Sequence, residues 1–294
     1  MRIFLTGATG FIGTHIVPQL IGAGHQVLGM TRSDAGAQAL VAAGVEPHLG
    51  RLEDLDSLRA GAAQADAVIH TAFDHDFANF VANCEKDRRA IRAMGEALAG
   101  ADRPLVITSG TGMGAATPGA LATEDVFNRN NPHPRAASEL AGSEMLEAGV
   151  KVVVVRLPQV HDTRKQGLVT RYIEIAREKR AAAYIGEGRS RWSAAHVLDV
   201  ALLYRLAVEQ GQAGERFHAV GEEGVSARDI ATAVGAGLGV PVVSVPPEQA
   251  AEQFGWLGAF AAMDLPASNT WTCERLGWRP EGPGLIADLQ QMEY

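Results

Sequence analysis

The residues with the clearest chemical purpose are Gly7-Ala8-Thr9-Gly10-Phe11-Ile12-Gly13, set directly after an apolar run at 2–6 and opening a helical stretch. At a strand-to-helix turn, Gly7 permits the tight reversal and Gly10 lets the backbone approach a pyrophosphate. Gly13 lets the helix pack closely on the strand. The helix N-terminus adds free N–H groups and positive partial charge, so Thr9, Phe11 and Ile12 fall where an anion would be cradled. Glycines needed only for a sharp turn would show similar spacing. Their place in the first strand–helix unit is what points to dinucleotide binding.

The end of the second apolar run selects between the two nicotinamide dinucleotides. An NAD site usually places a carboxylate there to accept from the ribose hydroxyls. This chain reads Gly29-Met30-Thr31-Arg32-Ser33, with no carboxylate before Asp34. Arg32 offers a planar fork to a 2′-phosphate, and Thr31 and Ser33 offer hydroxyls. Arg51, with Leu52 beside it, stands just past the third run as a second contact. The expected cofactor is NADP(H), NADPH over NADH, although a solvated loop arginine would read the same way.

The elements that must position these residues alternate regularly. Apolar runs at 2–6, 25–31, 46–50, 67–71, 104–109 and 151–157 read as strands, separated by helical stretches such as 35–43, 55–63 and 87–99. Such alternation predicts an α/β fold, a doubly wound parallel Rossmann sheet covered on both faces. Pro18 removes a backbone donor inside the first helix, so a kink or early end is expected there. Residues 1–157 form the expected Rossmann NAD(P)-binding domain. Residues 158–294 read mostly as a small C-terminal substrate-binding subdomain, with some segments returning to the sheet. Within it, 186–191 reads as a loop, 197–209 and 226–238 as helices, the second capped by Ser226. A Pro/Gly-rich stretch at 239–247 and an apolar helical segment at 249–263 follow.

Composition excludes several classes. The 294 residues carry 26 Lys+Arg against 34 Asp+Glu, a formal charge of −8 spread without long like-charge runs. No basic nucleic-acid or membrane-binding face is expected. Two cysteines, Cys84 and Cys273, make neither a disulfide framework nor a metal quartet, which fits a reducing, cytoplasmic setting. The N-terminus reaches glycine by residue 7, too early for a signal-peptide core, and no apolar run approaches the ~18 residues of a membrane span.

With later signatures added, the chain resembles the NAD(P)-dependent epimerase/dehydratase group, the extended and atypical short-chain dehydrogenase/reductases. Those signatures are Val106-Ile107-Thr108-Ser109-Gly110-Thr111, Arg156-Leu157-Pro158 and His196-Val197-Leu198-Asp199-Val200-Ala201. The resemblance implies nicotinamide at the carboxyl edge of strands four to six, beside Ala72, Phe73, Ser109 and Pro158. It also implies a small-molecule substrate under the C-terminal subdomain, and a monomer or homodimer.

One departure dominates. The group's usual catalytic pair is Tyr with Lys four residues on, the Lys charge lowering the Tyr pKa for proton exchange. The four tyrosines here, at 172, 184, 204 and 294, have no Lys at +4. At the matching helix, Arg135 takes the Tyr position and Glu139 the Lys position, while Asp87 matches the helix-four Asn. Arginine is a poor proton donor but can stabilise an oxyanion or hold a carboxylate. A surface ion pair between Arg135 and Glu139 is the plain alternative.

Thr111 supplies the nearest strand-five hydroxyl, strict register placing Gly110 at the substrate oxygen. His161, on the segment passing over the nicotinamide, is the expected replacement acid. Lys165 follows four residues later but in a loop, where that spacing carries no weight. His70, Asp74, His75 and Asp76 lack a second ligand cluster, so no metal is expected. Trp192, Phe254 and Trp256 are candidates for an apolar wall. These features together predict an NADP(H)-dependent oxidoreductase reducing a carbonyl or related group of a small, partly apolar substrate. A nucleotide-sugar-type epimerase/dehydratase with retained nicotinamide and a non-catalytic NADP(H)-binding sensor are the alternatives.

Overall fold

The computed structural model describes all 294 residues. The first half runs β1 (Arg2–Thr6), α1 (Gly13–Gly22), β2 (Gln26–Thr31), α2 (Asp34–Ala42), β3 (Glu46–Leu49), α3 (Leu55–Ala63), β4 (Ala67–His70), α4 (Phe80–Leu98), β5 (Pro104–Gly110), α5 (Ala136–Glu147) and β6 (Lys151–Leu157). The second half continues β7 (Gln159–His161), α6 (Leu168–Lys179), β8 (Ala182–Ile185), β9 (Arg191–His196), α7 (Val197–Gln210), β10 (Arg216–His218), β11 (Glu222–Ser226), α8 (Ala227–Leu238) and β12 (Val242–Val245). Four short helices end the chain: α9 (Ala250–Phe254), α10 (Gly258–Ala261), α11 (Thr270–Leu276) and α12 (Leu285–Gln291).

Seven parallel strands form the main sheet in the order β10-β6-β5-β4-β1-β2-β3. The reversal of strand order beside β1 makes it doubly wound, and the glycine loop leaves the sheet at that switch point. Successive side chains feed opposite faces. Ile3, Leu5, Val153 and Val155 join the core that holds α1 and α7. Phe4, Val152 and Val154 join the core holding α3, α4 and α5. Each fully buried Val, Leu or Ile contributes about 1.5–3 kcal/mol, so continuous β-branched runs suit strands covered on both faces.

The second half is not wholly separate, since β10 returns to the large sheet beside β6. A second core gathers α6, α8 and α12 with β8 and β9. Ser226 caps α8, its hydroxyl accepting from the Asp229 N–H at 3.1 Å.

Several boundaries differ from the sequence reading. Helix α1 continues four residues beyond Pro18, which lies on its exposed side, where water can satisfy the carbonyl freed by the missing donor. Helix α4 begins at Phe80, seven residues earlier than expected. The stretch at 239–247 holds β12, which pairs in parallel with β8. The 249–263 segment breaks at Gly255, whose φ of +56° ends α9. No helix is long and apolar enough to cross a membrane.

Candidate active site

The glycine loop has the shape a pyrophosphate requires. Gly7 has φ +73°, and a Cβ there would lie 2.7 Å from Thr71 Oγ1 and 2.9 Å from Ala72 N. A Cβ on Gly13 would collide with the Gly7 carbonyl, whereas one on Gly10 would meet only that carbonyl, at 3.1 Å. Gly10 and Thr9 are exposed. The N–H groups of Phe11, Ile12 and Gly13 have no acceptor within the chain, and no acidic residue stands in the first turn of α1. Free donors, an open approach and the helix dipole fit a dinucleotide pyrophosphate.

At the adjacent edge, Gly50 N donates to Thr31 O at 3.0 Å, bringing the ends of β2 and β3 together. Arg32 and Arg51 flank this junction, both exposed and in no ion pair. Ser33 Oγ accepts from Gly36 N at 3.2 Å as the cap of α2, leaving its proton free to donate outward. Thr31 is a correction: it is buried with its hydroxyl against Gly36, so it packs the turn instead of facing a phosphate. Leu52 is half-buried against the underlying core.

Arg135 immediately precedes α5 and is held from several sides. Nη1 donates to Asp87 Oδ2 at 2.7 Å and to Ser138 Oγ, and Nη2 donates to the Thr108 carbonyl at 2.9 Å. The guanidinium carbon lies 4.3 Å from the Phe73 ring centroid, a cation–π contact. Behind it, Asp87 Oδ1 faces His70 Nε2 at 3.0 Å, and His70 Nδ1 faces Thr6 Oγ1 at 2.7 Å. One tautomer of the ring closes the proton roles. Ala72 N donates to Thr6 Oγ1 (3.3 Å), Thr6 donates to Nδ1, and Nε2–H donates to the carboxylate. Burial opposes ionisation of Asp87, yet Arg135 and His70 hold its carboxyl far below the usual range.

The surface pair between Arg135 and Glu139, the plain alternative, does not form. Glu139 is buried and accepts from Arg156 Nε at 2.8 Å, Arg156 Nη2 at 2.9 Å and Arg216 Nε at 3.0 Å. Desolvation again opposes its charge, and Arg156 overrides that, holding the carboxyl down. Arg156 also donates to the carbonyls of Thr123 and Val126 at 3.2 and 2.8 Å. This network ties α5 to β6 and β10 and is enclosed.

Thr111 is buried, with Oγ1 3.3 Å from Ser193 Oγ, and Ser109 is buried beside it. Pro158 is half-buried between β6 and β7. His161 is the second correction. It is 0% exposed, and its Nδ1 lies 2.6 Å from Asp288 Oδ2 on α12. Burial lowers its pKa despite the partial opposition of Asp288, so a neutral ring joins β7 to α12 instead of facing an open site. Of the apolar-wall candidates, Trp192 and Phe254 belong to the second core, and only Trp256 is exposed. No group of three or more His, Cys, Asp or Glu is arranged to hold a metal. His70 is committed to Asp87, and Asp74 pairs with Lys86 at 2.7 Å.

Three residues given no role from the sequence lie near Arg135 and the glycine loop. His133 Nδ1 accepts from the Arg135 N–H at 3.2 Å. The His75 ring packs edge-on against Phe73 at 5.3 Å, and Lys165 Nζ stands 5.7 Å from the Phe11 centroid. Desolvation, then the Arg135 charge and more weakly that of Lys165, lower the His75 pKa. Burial and then Arg135 act the same way on His133. The sequence signal was present at His133, two residues before Arg135. His75 was read only as part of the Asp74–Asp76 cluster, and Lys165 only by its spacing.

Comparison with known proteins places this geometry in a family. Residues 3–220 match the model for the NAD dependent epimerase/dehydratase family. The chain is 45% identical over 295 residues, 100% of both chains, to a Schizosaccharomyces pombe protein described as uncharacterized. It is 28% identical over 232 residues to the 4-hydroxy-2-methyl-3-oxo-4-farnesyl-3,4-dihydroquinoline-1-oxide ketoreductase of Stigmatella aurantiaca, covering 73% of this chain and 66% of that one. The UDP-glucose 4-epimerase of Thermus thermophilus, solved in complex with NAD, shares the fold at TM-score 0.74 and 23% identity, over 99% of this chain and 97% of that one. On sequence and architecture alike, this chain belongs to the NAD dependent epimerase/dehydratase family.

Proposed function

We propose that the protein is an NADP(H)-dependent reductase of carbonyl groups on small, partly apolar molecules. The observation that carries this reading is Arg135, held against Phe73 by Asp87 and the Thr108 carbonyl at the position of the missing tyrosine. The free N–H groups of Phe11, Ile12 and Gly13 would hold the pyrophosphate, with Thr9 and Gly10 at its open side. Arg32 and Arg51 would hold the 2′-phosphate, joined by Ser33. Ala72, Phe73, Ser109 and Pro158 would border the nicotinamide end. When bound, NADPH supplies the hydride that reduces the carbonyl carbon.

Arg135 retains its proton and stabilises the substrate oxygen as negative charge develops. Asp87 fixes the guanidinium through its inner edge without donating a proton. Thr111 lies on the neighbouring strand end as a positioning hydroxyl. The proton comes from the His75 imidazolium, which is then reprotonated by water, giving an alcohol and oxidised cofactor. Because desolvation and then the Arg135 charge disfavour charged His75, the rate should fall as pH rises past a midpoint below the ordinary imidazole value of about 6.5.

The ketoreductase relative and the aromatic surroundings of Arg135 support reduction over sugar epimerisation. The epimerase reading requires retained nicotinamide and no net NADPH consumption. The sensor reading requires binding without turnover. The test combines NADPH and NADH binding titrations with a panel of ketones and aldehydes. Tight NADPH binding with carbonyl-dependent NADPH oxidation supports the proposal, and binding without acceleration by any carbonyl overturns it.

A further inference from the structure

Beyond Arg135, the molecule gathers rings that lie outside its buried cores, Phe260 alone among them packing partly against the second core. Starting from Phe73 under the guanidinium, Phe80 lies 6.2 Å away. Phe77 stacks on Phe80 at 5.7 Å and on Trp256 at 4.4 Å, the latter with planes 12° apart. Phe260 meets Phe77, Phe80 and Trp256 edge-on at 6.1 to 6.4 Å. The chain has nine Phe and four Trp, and five of those thirteen meet here. None of the five is fully buried, and Trp256 is 42% exposed. Chains seldom leave this much contiguous aromatic surface in water without a binding partner for it.

Two segments build the wall. Phe73 and Phe77 lie between β4 and α4, with Phe80 opening α4, while Trp256 and Phe260 belong to the α9–α10 segment of the second half. The wall is therefore continuous with the cofactor edge at Ala72 and with Arg135. Its cation is Arg135, over Phe73, and the carboxylates alongside are Asp87, paired with Arg135, Asp74, paired with Lys86, and Asp76, which caps the turn opening at Phe77. Rings in offset and edge-on array, beside a fixed guanidinium, match a π-faced molecule whose oxygen meets a cation. A saturated ring of the same size would gain the apolar burial without the stacking.

We infer that the substrate is a planar aryl ketone or aldehyde, its ring seated on the Phe77–Trp256–Phe260 wall and its carbonyl directed to Arg135. This inference rests on the reductase reading above and names its substrate class. The test pairs each aryl carbonyl with its cyclohexyl counterpart, for example acetophenone with cyclohexyl methyl ketone. Binding to the NADPH-loaded protein is measured by calorimetry, and turnover by NADPH consumption. The aryl member should bind about tenfold more tightly. Trp256→Leu should remove that preference by raising the aryl KM with little change in kcat, and Trp256→Phe should restore most of it. Phe77→Leu checks the result should Trp256→Leu fail to fold. Aryl preference in binding without any turnover would sink the reductase reading and leave the ring seat standing. Equal binding and equal turnover of the two members would overturn the ring seat and leave the reductase reading intact.

Discussion

Arg135 and Glu139 stand four residues apart, yet the structure uses them in opposite ways. Arg135 keeps 14% of its side chain exposed and faces an aromatic opening, whereas Glu139 and Arg156 are sealed. Each carries a charge neutralised by a buried partner from another element. For Arg135 the one charged partner is Asp87, at Nη1, with the Ser138 hydroxyl and the Thr108 carbonyl as neutral acceptors and the Phe73 ring against the guanidinium. For Glu139 the partners are two arginines that occupy both oxygens. A neutralised charge that keeps some exposure is available for chemistry, and one that is sealed becomes a structural tie.

That contrast is open to attack, the stability side first. Glu139→Gln leaves Arg156 uncompensated in the interior and should cost about 3–5 kcal/mol in urea unfolding. The protein that remains folded should still bind NADPH. A loss below about 1 kcal/mol would show that the network is not the tie described here.

The same network should respond to acid. His218 lies beside Arg156, its Nε2 3.2 Å from Nη1, and burial and then that charge push its pKa down to about 4. Unfolded imidazole takes up a proton near 6.5, so between these values the unfolded chain binds more protons. Stability should therefore fall by up to about 3 kcal/mol as pH drops from 6.5 to 4, read from unfolding curves at each pH. His218→Asn should flatten that slope. Asp87 and Glu139, with depressed pKa values, add to the loss only once pH falls into the unfolded carboxylate range at about 4, at the bottom of this window.

On the open side the effects should appear in catalysis. Arg135→Lys keeps a charge for Asp87 but loses the forked geometry, and should lower kcat/KM for carbonyl reduction about 100-fold. Its melting temperature should move little. If activity survives, the oxygen is stabilised elsewhere. The smallest effect is expected at the cofactor: Arg32→Ala should weaken NADPH binding about tenfold and leave NADH unchanged. Equal loss for both would place Arg32 away from the 2′-phosphate.

Local patterns were legible in the sequence, and long-range partners were not. The glycine loop could be read because its chemistry is confined to seven consecutive residues. The parallel sheet could be read because both-face burial writes continuous β-branched runs such as Val152–Val155. Arg135 was located by its place on the helix, but Asp87 and His70, which hold it, lie 48 and 65 positions away. Burial was the hidden variable elsewhere. It converted His161 from an expected acid into a neutral contact of α12, and Glu139 from a surface partner into an enclosed one. Strand β12 was missed because flanking Pro241, Pro246 and Pro247 read as a loop, while its ordering comes from β8.

The central claim is that Arg135 stands in for the missing tyrosine at the reacting oxygen. A crystal structure with NADP and the alcohol product of an accepted carbonyl tests it most directly. The account expects an Arg135 N–H within about 3 Å of the product oxygen, with Asp87 still on the opposite edge. An oxygen met by another side chain, with Arg135 bonded only to Asp87, Ser138 and Thr108, would contradict it.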